Sequence, residues 1–167
     1  NGDTIIENFI KEDAELTKTV LDVIAFDIGL LTKRLIEEVG VDGIYLSVQN
    51  LQDSRLSRKE YDHVIKPGEL HILNRAISSG GTNILHICGY EGATNDIAYY
   101  TGYPADVINW AVELEGVSLS EGRELFGGKT VLGGFRNTEN DLLYQGSKEA
   151  IQNKVREILD ETGRKGV

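Results

Sequence analysis

Between residues 13 and 39 the apolar positions fall three or four apart, at Val20, Ile24, Ile28, Leu31, Leu35 and Val39. This spacing predicts a helix with one apolar face, stopped by Gly40. Residues 43–49 read Gly-Ile-Tyr-Leu-Ser-Val-Gln, a short β-prone run bounded by Gly43 and Asn50, which predicts a buried strand. A second helix starts at Ser57, where the Ser57 hydroxyl and the Glu60 carboxylate make a capping box for the first-turn amides. Pro67 breaks or kinks that helix before it resumes to about Ser79. Strands then follow at 83–87, 106–110 and 130–134. Helices alternate with them around 95–100, at 118–126 behind a second capping box (Ser118, Glu121), and from Ser147 onward. In the last helix Ile151, Val155, Ile158 and Leu159 should face inward, and a further strand would begin at Gly166-Val167.

Alternating strands and helices imply an α/β fold with a parallel sheet and right-handed crossovers. Four strand-helix units behind one leading helix make about half of a (β/α)8 barrel, a fold of roughly 250 residues. A doubly wound open sheet would also bury such a chain. Residues 1–167 read as one domain. In both folds the polar residues at the carboxyl ends of the strands collect on one rim, so that rim is where chemistry is expected.

Charge and composition narrow the functions. With 27 Asp and Glu against 17 Lys and Arg the net charge is -10, the wrong sign for a nucleic-acid backbone or an anionic membrane. A single cysteine, no signal-like leader and no apolar run of membrane length indicate a soluble cytoplasmic protein. No methionine is present, so residue 1 is not a translation start, and the chain reads as processed or cut from something longer.

The expected rim comprises Ser47 and Gln49 from the first strand, His86 and Cys88 from the second, Asn109 and Trp110 from the third, and Phe135, Arg136 and Asn137 after the fourth. His86-Ile87-Cys88-Gly89 carries the most information, because side chains two apart on a strand point the same way and imidazole and thiol both suit zinc. Two donors do not complete a site, and a buried Cys beside a hydrogen-bonded core His remains the alternative. His63 and His71 read as helix-face residues. Gly133-Gly134-Phe135-Arg136-Asn137 lacks dinucleotide and P-loop spacing and reads as a tight turn after a strand. Nucleophile-elbow, kinase and HExxH patterns are absent.

A series of segments resembles the uroporphyrinogen decarboxylase superfamily over essentially the whole chain. They are Val41-Asp42-Gly43-Ile44-Tyr45-Leu46-Ser47-Val48-Gln49, Leu56-Ser57 with Glu60-Tyr61 and Pro67, Ile84-Leu85-His86-Ile87-Cys88-Gly89, Tyr103-Pro104-Ala105-Asp106-Val107-Ile108-Asn109-Trp110, Val131-Leu132-Gly133-Gly134-Phe135, and Gly146-Ser147-Lys148-Glu149-Ala150-Ile151. The resemblance implies a (β/α)8 TIM barrel with its site at the carboxyl ends of the strands, this chain being the C-terminal half. It also implies one of two chemistries.

Decarboxylases of the superfamily remove the acetate carboxyls of uroporphyrinogen III without a metal, using a carboxylate and an Arg-rich motif that belong to the other half. Cobalamin-dependent methyltransferases bind zinc through a His-x-Cys pair and a later Cys, and the metal turns an acceptor thiol into a thiolate. His86 and Cys88 match the pair, and the later Cys would fall just beyond Val167. The family more often carries an acidic residue where this chain has Arg136. The expectation is therefore a site with His86 and Cys88 as zinc ligands, Gln49, His86, Asn109 and Arg136 as catalytic residues, and Ser47, Trp110, Phe135 and Asn137 on the substrate. The substrate would be a tetrapyrrole, a corrinoid or a thiol. The intact protein would use zinc if a methyltransferase and no cofactor if a decarboxylase, and these 167 residues alone would be inactive in both reactions. A non-catalytic binding chain is the third possibility. Open sheet edges need covering, so a homodimer or an edge cover is expected.

Overall fold

Four parallel strands, β1 (Tyr45–Val48), β2 (Ile84–Ile87), β3 (Val107–Trp110) and β4 (Thr130–Leu132), lie side by side in chain order in the computed structural model, which describes residues 2–49, 56–90 and 92–167. Each lies inside the run predicted for it. Asn50, expected to bound the first strand, is outside the described residues. The register sets Ser47 beside His86, His86 beside Asn109 and Asn109 beside Leu132, one row across the sheet.

The strand order decides between the two folds considered. A doubly wound sheet reverses its order and carries helices on both faces, whereas here the order is sequential and the helices cover one face. Val48, Leu85, Ile87, Ile108, Trp110 and Val131 alternate toward that covered face and pack with Tyr61, Leu73, Tyr100, Leu119 and Phe126. The arrangement is half of a TIM barrel. Val131 N–H also donates to Gly166 O (3.0 Å), which ties the last residues to β4, although Gly166-Val167 form no strand.

The helices are α1 (Gly2–Glu12), α2 (Ala14–Arg34), α3 (Arg58–Val64), α4 (Lys66–Ser78), α5 (Val112–Glu115), α6 (Leu119–Leu125), α7 (Leu142–Gln145) and α8 (Lys148–Thr162). Both predicted capping boxes form, at Ser57/Glu60 and Ser118/Glu121. Pro67 sits in the first turn of α4, so the second predicted helix divides at Ile65. The helix expected around 95–100 is a single 3-10 turn, Ile97–Tyr100. Asp13 caps α2, and the end of the first predicted helix widens into a π turn (Leu35–Val39) before Gly40 closes it at φ 83°.

The predicted inner face of α2 is corrected. Val20, Ile24, Ile28, Leu31 and Val39 are all exposed, and Thr17, Ala25, Gly29 and Thr32 are buried instead. The cause is the close approach of α4. A Cβ on Gly29 would meet His71 Nε2 at 2.9 Å, and one on Gly68 would meet the Ala25 methyl at 3.1 Å, so the contact admits only small side chains. In α8, Val155 is likewise exposed while Ile151, Ile158 and Leu159 are half-buried. No helix among the described residues is long and apolar enough to cross a membrane.

Within the helix layer Tyr61, Tyr99, Tyr100 and Tyr103 pack edge to face or tilted against one another around Glu69. The Tyr61 and Tyr103 hydroxyls each donate to its carboxylate at 2.6 Å. Burial pushes the Glu69 carboxyl above the ordinary range, against the pull of those two hydrogen bonds and of Lys66.

Candidate functional site

Strand alternation leaves Tyr45, Ser47, His86, Asn109 and Leu132 on the face that no helix covers. Their positions follow from period two and from the register. The His86 ring stacks on Tyr45 with centroids 5.2 Å apart and planes 26° apart. Its Nδ1 lies 2.5 Å from Asn109 Oδ1, which also accepts from the Tyr45 hydroxyl at 2.8 Å. Asn109 Nδ2 donates to Leu132 O at 2.7 Å, so the group spans β1 to β4. Tyr45 is a member that sequence reasoning missed. Its signal was available, since Tyr45 is two residues before Ser47 on the same strand and must share its face. Burial raises the Tyr45 phenol above its usual range, and the charge of nearby Cys88 adds to this.

Cys88 follows β2 immediately, half-buried, its N–H donating to Val48 O at 2.8 Å. The turn after it is set by Glu115 at the end of α5. Glu115 accepts from Asn95 N–H (2.7 Å) and from Asn95 Nδ2 (2.8 Å), and the same Nδ2 also reaches Cys88 O (3.0 Å). A Cβ at position 89 would fall 2.0 Å from Glu115 Oε1, so the glycine of His86-Ile87-Cys88-Gly89 makes room for that carboxylate. Neither Glu115 nor Asn95 was legible beforehand, because nothing local in the sequence ties residue 95 to residue 115.

One residue beyond Cys88, a cavity of about 200 Å³ opens between Gly89, Tyr90, Glu113, Phe135, Arg136 and Asn137. Arg136 stands exposed at it, 3.4 Å from both the Glu113 and the Asp141 carboxylates. Phe135 and Asn137 line this cavity, while Ser47 and Gln49 are exposed at the end of β1 and do not. Trp110 is corrected. It follows Asn109 directly and so points the other way, fully buried among the helices with its Nε1–H on Val117 O at 2.8 Å. His63 pairs with Glu15 across the outer helices, and His71 packs on Gly29, so neither belongs to the open face.

A family model described as Uroporphyrinogen decarboxylase (URO-D) matches residues 4–167. The chain belongs to the uroporphyrinogen decarboxylase family. No curated protein and no solved structure matches it. The His-x-Cys branch of that family implies zinc. His86 offers Nε2, since its Nδ1 is engaged, and Cys88 offers a half-buried sulfur two residues further along the chain. Both are donor types that zinc accepts. Among the described residues no three His, Cys, Asp or Glu side chains gather closely enough to enclose an ion. This uroporphyrinogen decarboxylase-family chain therefore brings two donors and the surroundings that hold them.

Proposed function

We propose that this member of the uroporphyrinogen decarboxylase family is a zinc-dependent thiol methyltransferase, taking its methyl group from a corrinoid or a related donor. The observation that carries the reading is His86 on the uncovered face of β2, two residues before Cys88, with the imidazole already oriented through Nδ1. In this reading His86 Nε2 and Cys88 Sγ are two of the ligands. The sequence holds no second Cys, so the later thiolate of that branch comes from residues other than these 167. Zinc bound there supplies one thing, a lowered pKa that keeps an acceptor thiol as the nucleophilic thiolate.

The remaining roles belong to the chain. Glu115 and Asn95 fix the turn that carries Cys88. The cavity beside Gly89 takes the acceptor, Phe135 giving it an apolar wall and Asn137 a polar one. Its size favours a small thiol, because pockets for larger ligands run to roughly 300–1,000 Å³. The charge argues the same way. A substrate bearing many carboxylates would find Arg136 already facing Glu113 and Asp141, in a chain of net charge -10. The open face is proposed to be the lumen of a barrel that further strands complete, which would also cover the β1 and β4 edges.

Metal analysis tests the reading. Intact protein that includes the later thiolate, incubated with zinc and then desalted, should retain one equivalent, and Cys88→Ser and His86→Ala should each lose it. A protein that retains no zinc and consumes uroporphyrinogen would replace methyl transfer with decarboxylation.

A further inference from the structure

We infer that Asn109 is a positioning residue that holds the proton of His86 on Nδ1 and thereby presents the Nε2 lone pair to the open face. The inference begins at Leu132. Its backbone carbonyl can only accept, so the Asn109 group 2.7 Å from it must be the NH2. That fixes the amide, and Oδ1 must face the other way, toward Tyr45 and His86. Oδ1 donates nothing, and two groups converge on it, the Tyr45 hydroxyl at 2.8 Å and His86 Nδ1 at 2.5 Å. Each must therefore donate. A neutral imidazole carries one N–H, so a proton on Nδ1 leaves Nε2 as a bare acceptor.

Nothing among the described residues bonds Nε2. The ring cannot easily turn to offer the other nitrogen, because it stacks on Tyr45 and because His86 and Asn109 are direct register partners on adjacent strands. Asn109 does this as a neutral amide, which directs the ring without setting a charge beside it. The use of the lone pair as a zinc donor rests on the function proposed above. The position of the proton does not.

Nuclear magnetic resonance of protein labelled with 15N-histidine reads the tautomer directly, through long-range couplings between ring nitrogens and ring protons. The protein has 3 histidines, and a His86→Gln variant identifies the signals of interest. At a pH of about 8, above the ordinary imidazole range, His86 should show the Nδ1–H pattern. Tyr45→Phe, which keeps the stacked ring and removes only the hydroxyl, should preserve it. Asn109→Leu, which removes the acceptor, should switch His86 to the Nε2–H form. An Nε2–H pattern in the unaltered protein, or an Nδ1–H pattern surviving in Asn109→Leu, would overturn the inference. Zinc uptake does not enter this readout. Nδ1–H together with an intact protein that retains no zinc would keep the inference and remove the methyltransferase reading, and Nε2–H together with an intact protein that binds zinc through Cys88 would do the reverse.

Discussion

Val131 and Leu132 are neighbours on β4 and nearly the same size, yet Val131 is 0% exposed among the helices while Leu132 is 46% exposed on the bare face. The same division runs through β2, where Leu85 and Ile87 are shut in and His86 is half open, and through β3, where Ile108 and Trp110 flank Asn109. One face is an apolar core held together by packing. The other is a row of side chains held by directed bonds, Tyr45 and His86 to Asn109 and Asn109 to Leu132. One step along a strand thus separates the residues that pack against the helices from those on the uncovered face. The two sets should respond very differently to substitution.

The sharpest test is Trp110. It is fully buried, and its ring lies so close to α6 that a Cβ on Gly122 would approach it to 2.2 Å. Trp110→Ala should cost about 3–5 kcal/mol in urea unfolding, a large share of the roughly 5–15 kcal/mol that holds an ordinary domain folded. If Trp110 belonged to the site instead, the variant would keep its stability and lose only binding.

Sequence periodicity located all four strands, because short β-prone runs between Gly, Asn and capped helices leave little alternative. It also set His86 within β2, with Cys88 directly after the strand. It misread α2 for a definite reason. Periodicity marks the more hydrophobic stripe, whereas α2 buries Thr17, Ala25, Gly29 and Thr32 and meets α4 through Ala25 and Gly29, whose value is their small volume. Placing Trp110 on the rim beside Asn109 ignored the alternation that had paired His86 with Cys88. The Asn109 and Glu115 contacts depend on which strand lies beside which, and order and register cannot be read from any single segment. Helix α1 was also missed, although Ile6 and Ile10 recur at helical spacing within it.

A matched pair of leucines follows next. Leu85→Ala, at 0% exposure, should lose about 2–5 kcal/mol. Leu132→Ala, on the open face, should lose under about 1 kcal/mol, as exposed positions do. Equal losses in parallel urea titrations would mean that the open face is covered in solution, and light scattering on the same samples would show whether by a second copy.

Glu69 sharpens the comparison through pH. Its carboxyl lies in the helix layer and burial raises its pKa in the folded state, so the fold favours the protonated form. The stability this contributes is complete below the unfolded value of 4.5 and is lost as pH rises through the higher folded value. Glu69→Gln keeps an oxygen acceptor and removes the titration. In unfolding measured from pH 4 upward, the variant should fall less steeply than the parent protein across that window. Parallel curves would mean that the carboxylate is already ionised within the tyrosine cluster.

The smallest effect is expected at Arg136. Its guanidinium sits 3.4 Å from two carboxylates, Glu113 and Asp141, and its side chain is 53% exposed. Ion pairs in such a setting contribute about 0–1 kcal/mol, because water solvates the separated charges nearly as well and salt screens what is left. Arg136→Gln should therefore change stability by less than about 1 kcal/mol, and added salt should shrink the difference. Its consequence belongs to the cavity, where loss of the cation leaves Glu113 and Asp141 uncompensated and should weaken binding of any anionic acceptor. A stability loss above about 2 kcal/mol would place Arg136 outside the range of exposed pairs. The rim would then be as closed as the helix-covered face, and the division between packed and offered residues would fail at the position where it is most easily measured.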